Sequence, residues 1–107
     1  MKADSAAMLV EQTIERNTRL VEAGAEIGVE HVAWTRRNST YATKLALEAV
    51  SSLFHVAGGS ALFAGHPLHD VFRDTMAGCA HLSLAWHRAA PLYGQVRLGQ
   101  TVDFDLF

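Results

Sequence analysis

Five residues between positions 74 and 88 recur at the spacing of one helix face. The intervals are four, three, four and three, a period that places side chains on one side of an α-helix; the residues are Asp74, Gly78, His81, Ala85 and Arg88. A polar face with small residues can line a cavity that a ligand enters, and an imidazole there can exchange a proton near neutral pH. The same pattern is typical of a face exposed to solvent, so both interpretations stay open.

A second group of side chains, which could act as metal ligands, lies near the start of the same segment. His66, His69 and Asp70 lie close together in the sequence, and imidazole and carboxylate groups are ordinary ligands of transition metals. A metal ion needs three or four converging ligands, and the local sequence supplies only these. A metal site is therefore the weakest of the functional hypotheses, and we expect no bound metal.

The pattern of apolar residues predicts the helices that would hold these groups. A first helix begins after an N-cap signal at Asp4 and Ser5 and runs until the glycines Gly24 and Gly28. A second helix runs from about residue 29 to about residue 57, and apolar residues on two of its faces indicate that it is the central helix. Its first half, which contains the polar run 36–39, is expected to face solvent.

Glycines and prolines mark the ends of the remaining elements. Gly58 and Gly59 end the second helix, because glycine adopts backbone angles that are closed to other residues. Pro67 suits the first position of a third helix, where its missing N–H would be unpaired, and Pro91 marks its end. No run has the period of a strand. The fold class is therefore all-α, an antiparallel bundle of three long helices forming a single domain over residues 1–107.

Composition narrows the class of protein. Half of the 107 residues are apolar and 19% are charged, which favours a folded chain with more apolar surface than a small monomer needs. The net charge is −2 and the basic residues are scattered, so no nucleic-acid partner is expected. The sequence has no signal-peptide pattern and no membrane-spanning run, and its single cysteine, Cys79, cannot form an internal disulfide. We expect a cytoplasmic protein with no membrane contact.

Residues 53 to 99 carry an ordered set of short motifs that resembles a known family. A helix ends in AGGSAL, then follow a loop, PL, RD, a histidine seven residues after the aspartate, and a G-x-x-x-LG ending. This order is similar to the C-terminal helical domain of the acyl-CoA dehydrogenase superfamily, in the type-2 version found in two-component flavin-dependent monooxygenases. The resemblance implies a fragment or free-standing copy of that domain, which lacks the N-terminal helical domain and the β-domain and depends on other parts for catalysis.

The resemblance also implies roles for individual residues. Dehydrogenases of the superfamily carry a glutamate base at the position of Leu82, and leucine cannot accept a proton, which disfavours dehydrogenation by that route. His81 matches the histidine that the monooxygenases present to the reactive edge of the flavin, where it can hydrogen-bond or donate a proton. Gly58, Gly59 and Ser60 match a glycine loop that approaches the cofactor of a neighbouring subunit.

The cofactor implied by the resemblance is FAD or FMN, supplied in reduced form by a partner flavin reductase, and the substrate is apolar or aromatic. The apparent absence of the first helix of the family's four-helix bundle leaves apolar surface, for which a second copy is the expected partner. Arg73 and Asp74 match the RD pair and are expected to tie their helix to two neighbours, whereas Asp70 stands where the family usually has arginine. Two alternatives remain, a non-catalytic helical assembly module and part of an acyl-CoA dehydrogenase.

Overall fold

The computed structural model describes residues 1–59, 63, 65–81 and 84–102. Within them the chain forms four α-helices and no strand: α1 (Lys2–Glu22), α2 (Val29–Ala57), α3 (Pro67–Cys79) and α4 (Trp86–Arg97). The prediction of an all-α fold is confirmed. None of these helices is both long enough and apolar enough to span a membrane.

Side-chain contacts show that α1 runs antiparallel to α2. The ammonium group of Lys2 lies 3.0 Å from a carboxylate oxygen of Glu48, near the start of α1 and the second half of α2. At the other end of the pair, Nε2 of His31 lies 2.7 Å from Oδ1 of Asn17. The two contacts pair low numbers in α1 with high numbers in α2 and the reverse, as an antiparallel pair requires.

α3 and then α4 also pack along α2, both antiparallel to it. Near the end of α2, the ring of Phe54 stacks on that of Phe72 in α3, with 4.5 Å between the ring centroids. In the middle of α2, Tyr41 contacts Trp86 at the start of α4, with 5.1 Å between the ring centroids. Near the start of α2, Glu30 pairs with Arg97 at the end of α4, with 2.8 Å between the charged atoms. α2 therefore contacts all three other helices, and the prediction that it is central is confirmed.

The predicted third helix is wrong in its length, because the structure divides it into α3 and α4 and so gives four helices instead of three. The backbone at Ala85, just before Trp86, is extended, which no helix can include. Pro91 lies inside α4 instead of ending a helix, so one hydrogen bond of the α4 interior is missing. The five polar and small residues at 74–88 therefore do not share one helix face, since His81 lies in the connection between the two helices.

The observed helix ends can be compared with the caps that the sequence predicts. α2 has the predicted bounds, and Gly58 caps its C-terminus with a φ of 77°, a value that favours glycine. α1 begins before the predicted cap at Asp4 and Ser5. Met1 takes the N-cap position without a side-chain hydrogen bond, and Asp4 lies in the first turn, where its charge favours the positive end of the helix.

The core between α1 and α2 is built from short side chains. Its apolar centre is Ala6, Ala42 and Leu45, and Leu9 packs against this group. Asn38, in the half of α2 predicted to face solvent, is only 4% exposed, so that prediction is wrong at this position. The amide of Asn38 can be buried at little cost because it donates a hydrogen bond to Oγ1 of Thr13 across the helix pair, at 3.2 Å.

Candidate functional site

His81 lies two residues after the last residue of α3, in the connection that leads to α4, and its side chain is exposed. The carbonyl of His81 accepts a hydrogen bond from the amide of Leu84 at 2.9 Å, which closes a tight turn between the two helices. Leu82, which stands in place of the dehydrogenase glutamate, lies outside the described residues. The turn therefore presents the imidazole from a loop, where groups outside this bundle can reach it.

Gly58 and Gly59 lie at the opposite end of the helix pair formed by α2 and α3. The amide of Gly58 donates to the carbonyl of His55 at 3.2 Å, and apart from the chain neighbours no described atom lies within 4 Å of where a Cβ would stand on either glycine. The backbone here is open to the approach of another group. Ser60, the third residue of the predicted cofactor loop, lies outside the described residues.

His81 and the glycine pair, the two parts of the predicted site, lie at different positions along the axis of α2. Phe54 contacts α3 and Tyr41 contacts α4, so the α3–α4 connection lies beside the middle of α2. Gly58 ends α2 about ten residues later, which is roughly 15 Å along a helix axis. Within one chain the structure therefore does not bring His81 and the glycine pair into a single cluster.

The charged residues of α3 interact mainly with one another. The guanidinium of Arg73 lies 3.6 Å from a carboxylate oxygen of Asp70 and 3.7 Å from one of Asp74. Both partners belong to α3, so in the part of the chain that the structure describes these ion pairs do not tie the helix to two neighbours as expected. All three side chains are well exposed, and such ion pairs contribute little to stability.

The side chain of His66 has a structural task at the start of α3. Its Nδ1 accepts a hydrogen bond from the amide of Leu68 at 3.1 Å, as an N-cap residue does, and Pro67 occupies the first turn. Among the described residues, no group of three histidine, cysteine, aspartate or glutamate side chains could hold a metal ion. Burial raises the pKa of the Cys79 thiol, which favours its protonated form.

A cluster of cationic and aromatic side chains at the joined ends of α1, α2 and α4 was missed by sequence reasoning. The guanidinium of Arg16 lies 4.2 Å from the centre of the Trp34 ring, and that of Arg37 lies 4.4 Å from the Tyr93 ring. Arg37 also donates to Oδ1 of Asn38 at 3.0 Å. These contacts hold three helices together, and the i, i+3 spacing of Trp34 and Arg37 was the available signal.

Comparisons with known proteins agree with the all-α architecture. The family model described as "Acyl-CoA dehydrogenase, C-terminal domain" matches residues 1–86. The oxygenase subunit HsaA of a flavin-dependent monooxygenase from Rhodococcus jostii (strain RHA1) is 35% identical over 80 residues, which are 75% of this chain and 21% of the relative. The oxygenase component of an FADH(2)-dependent resorcinol hydroxylase from Rhizobium sp. (strain MTP-10005) is 30% identical over 79 residues, or 74% of this chain and 19% of that protein.

A solved structure extends the match to nearly the whole chain. The crystal structure of 3-HSA hydroxylase from Rhodococcus sp. RHA1 superposes with a TM-score of 0.88 at 29% identity, over 97% of this chain and 27% of that one. This chain spans about a fifth of the length of the curated relatives it matches. It matches the C-terminal region of flavin-dependent oxygenase components, and it belongs to the acyl-CoA dehydrogenase C-terminal-domain family.

Proposed function

We propose that this chain is the C-terminal helical part of the oxygenase component of a two-component flavin-dependent monooxygenase. The observation that carries the proposal is an exposed imidazole, His81, in the turn between α3 and α4 of a bundle that superposes on a hydroxylase with a TM-score of 0.88. Residues 1–107 act as one helical domain, and the helical and β-domains found elsewhere in the superfamily complete the site.

The residues of this chain fit a flavin at two separate places. Reduced flavin, when bound, supplies the electrons that activate molecular oxygen for insertion into a substrate. The exposed ring of His81 can hydrogen-bond at the reactive edge or deliver a proton there. No described residue beyond their chain neighbours lies close to Gly58 and Gly59, so a phosphate or adenine group can approach their backbone, and Ser60 follows them in the sequence. Because the two places are far apart along α2, the glycine loop serves the cofactor of a neighbouring copy.

The partners follow from the relatives. A separate reductase supplies FAD or FMN in reduced form, in line with the oxygenase components named among the relatives. The resorcinol hydroxylase suggests a phenolic ring as the substrate, which agrees with an apolar or aromatic molecule. The complete enzyme is a homo-oligomer and works in the cytoplasm, where the reductase supplies the flavin.

Anaerobic titration of the chain with reduced FAD and reduced FMN tests the role of His81. We expect His81→Ala to weaken flavin binding about 10-fold, the loss of one hydrogen bond to a charged group. His87→Ala removes another exposed histidine, on α4, and should leave the affinity unchanged. Equal affinities for the two variants would contradict a flavin-facing role for His81.

A chimera tests the domain assignment independently. The matching C-terminal region of a related oxygenase component is replaced by this chain, and hydroxylation is measured with the relative's own reductase. We expect the chimera to assemble with flavin and to retain hydroxylation, and the His81→Ala chimera to lose at least about 100-fold in rate. A folded chimera with full activity after His81→Ala would refute the assignment of His81.

The apolar surface of α1 favours a second candidate function, a non-catalytic assembly module. Met8, Ile14 and Val21 are each more than half exposed, which is unusual for large apolar side chains on one helix. This candidate predicts association without flavin binding and a chimera without activity. The flavin titration and the chimera therefore distinguish the assembly module from the monooxygenase.

A further inference from the structure

A hollow of about 320 Å³ lies at the end of the bundle where α2 begins and α4 ends. Three helices contribute side chains to its walls: Arg16 of α1, Glu30, His31 and Trp34 of α2, and Tyr93 and Arg97 of α4. Ligand pockets in proteins usually measure roughly 300–1,000 Å³, so this hollow is at the small end of their range. Its size suits a molecule with a single ring better than a cofactor with several rings.

The charge of the lining favours an anion. Arg16 and Arg97 bring two guanidinium groups to the hollow and Glu30 brings one carboxylate, so the lining carries a net charge of +1 when His31 is neutral. The whole chain has a net charge of −2. The positive lining is therefore a local feature of this end of the bundle, and it attracts a negatively charged ligand.

Aromatic rings hold one of these cations in place. The guanidinium of Arg16 lies 4.2 Å from the centre of the Trp34 ring, and the ring of His31 stacks on that of Trp34 with 5.9 Å between the centroids. A guanidinium that lies over a ring keeps its N–H groups in its own plane, where an oxyanion can accept from them. The half-buried rings of Trp34 and Tyr93 also offer apolar surface to the ring of a ligand.

The pair of Glu30 and Arg97 shows that this wall can hold a carboxylate. Oε1 of Glu30 lies 2.8 Å from Nη1 of Arg97, and both side chains are more than half exposed. An exposed pair of this kind is weak, and a guanidinium has five N–H donors. The oxyanion of a ligand can therefore share Arg97 with Glu30 or displace Glu30 from it.

We infer that this hollow binds a small aromatic molecule that carries an oxyanion, a carboxylate or a phosphate, on a planar ring. Arg16 and Arg97 hold the oxyanion, because guanidinium groups match the geometry of both anions. Trp34 and Tyr93 pack against the ring. The bound molecule contacts α1, α2 and α4 at once and so holds the ends of these helices together.

This hollow is separate from the two places assigned to the flavin. Trp34 lies 24 residues before Gly58, which is roughly 36 Å along the axis of α2. It lies seven residues, or roughly 10 Å, before Tyr41, which is beside the connection that carries His81. The aromatic anion is therefore a second ligand, and the inference goes beyond the proposed function and does not depend on it.

NMR titration of the ¹⁵N-labelled chain with benzoate and with phenyl phosphate tests the site. The chain has two tryptophans: Trp34 lines the hollow, whereas Trp86 packs on Tyr41 and is the internal control. We expect the indole N–H signal of Trp34 to shift and saturate with a dissociation constant below about 1 mM, while that of Trp86 stays in place. Saturation with either compound supports the inference, and the tighter compound identifies the preferred oxyanion.

Three further compounds show whether the ring and the charge are both needed. Acetate and inorganic phosphate lack the ring and benzyl alcohol lacks the charge, so each should bind at least about 10-fold more weakly than the matching aromatic anion. Benzyl alcohol that binds as tightly as benzoate overturns the inference. Equal shifts of the two indole signals, or no saturation up to about 10 mM of either aromatic anion, also overturn it.

Three variants assign the binding to this hollow. Arg16→Gln should weaken benzoate binding about 10-fold, whereas Arg19→Gln, an exposed arginine of α1 that does not line the hollow, should change it by less than about twofold. Glu30→Gln should tighten binding about threefold, because it removes the carboxylate that competes for Arg97. Circular dichroism checks that each variant is folded. Equal affinities of the two arginine variants, or a Glu30→Gln variant that binds no tighter than the unchanged chain, contradict the assignment.

Discussion

The buried amide of Asn38 offers the sharpest test of how α1 and α2 recognise each other. Replacing it by alanine removes the donor to Thr13, at 3.2 Å, and the acceptor for Arg37, at 3.0 Å. The first bond joins neutral groups and is worth about 1 kcal/mol. The second involves a charged donor, but Arg37 is partly exposed and can be hydrated again, so about 1 kcal/mol is reasonable for it as well.

Three smaller effects adjust this magnitude. The space left by the amide costs up to about 1 kcal/mol, and the better helix propensity of alanine recovers about 0.6 kcal/mol. The hydroxyl of Thr13 keeps its own hydrogen bond to the carbonyl of Leu9, at 2.6 Å, so it is not left without a partner. The expected loss for Asn38→Ala is therefore about 2 kcal/mol, which lowers the melting temperature of a domain of this size by roughly 10 °C.

Urea unfolding followed by circular dichroism, at one fixed protein concentration, measures this loss. Ser52→Ala is the control, because the Ser52 hydroxyl is exposed and bonds the carbonyl of Glu48 in its own helix, and it should change stability by less than about 0.5 kcal/mol. A double-mutant cycle with Thr13→Val should give a coupling of about 1 kcal/mol. If Asn38→Ala costs no more than Ser52→Ala, water replaces the amide freely and Asn38 is not part of the interface.

Two further changes probe a helix end and an ion pair. Gly58→Ala should lower stability by about 1–3 kcal/mol in thermal melts, because φ 77° and ψ −165° form a backbone region that is essentially restricted to glycine, whereas Gly59→Ala, without a positive φ, should cost less. The hydrogen bond from Lys2 holds the pKa of Glu48 below its usual value, so the stabilisation is present above the ordinary glutamate pKa and is lost as the pH falls through the lowered one. In carbon-detected titrations of the carboxylate, Lys2→Met should raise the pKa of Glu48, and an unchanged value would show that the pair does not form in solution.

The sequence predicted the end of a helix correctly where a glycine caps it, and it did not predict the helix break that contains no glycine or proline. Gly58 ends α2 because its positive φ is costly for other residues, and that effect is local and readable. The break between α3 and α4 falls in the run from Ala80 to Ala85, which contains neither glycine nor proline, so local signals give no reason for a helix to stop. Leu84 lines hollows beside α1 and α2, and Trp86 contacts Tyr41; these two residues lie on either side of Ala85, and their packing can offset the lost helical hydrogen bonds.

The first half of α2 was misread for a different physical reason. Polarity alone predicts solvent exposure, but Asn38 is buried among partners that satisfy its amide, and Trp34 is covered by the Arg16 guanidinium. Such burial depends on residues more than fifteen positions away in α1, which no local pattern reveals. The motif order located the positions of the candidate site, whereas the distance between His81 and Gly58 along α2 required the structure.

The break between α3 and α4 also decides how His81 is presented. The amide of Leu84 donates to the carbonyl of His81 at 2.9 Å, and Leu84 lines two hollows beside α1 and α2. His81 therefore projects from a turn that Leu84 joins to the rest of the bundle. Had α3 continued unbroken to Pro91, the orientation of His81 would be set by the helix alone.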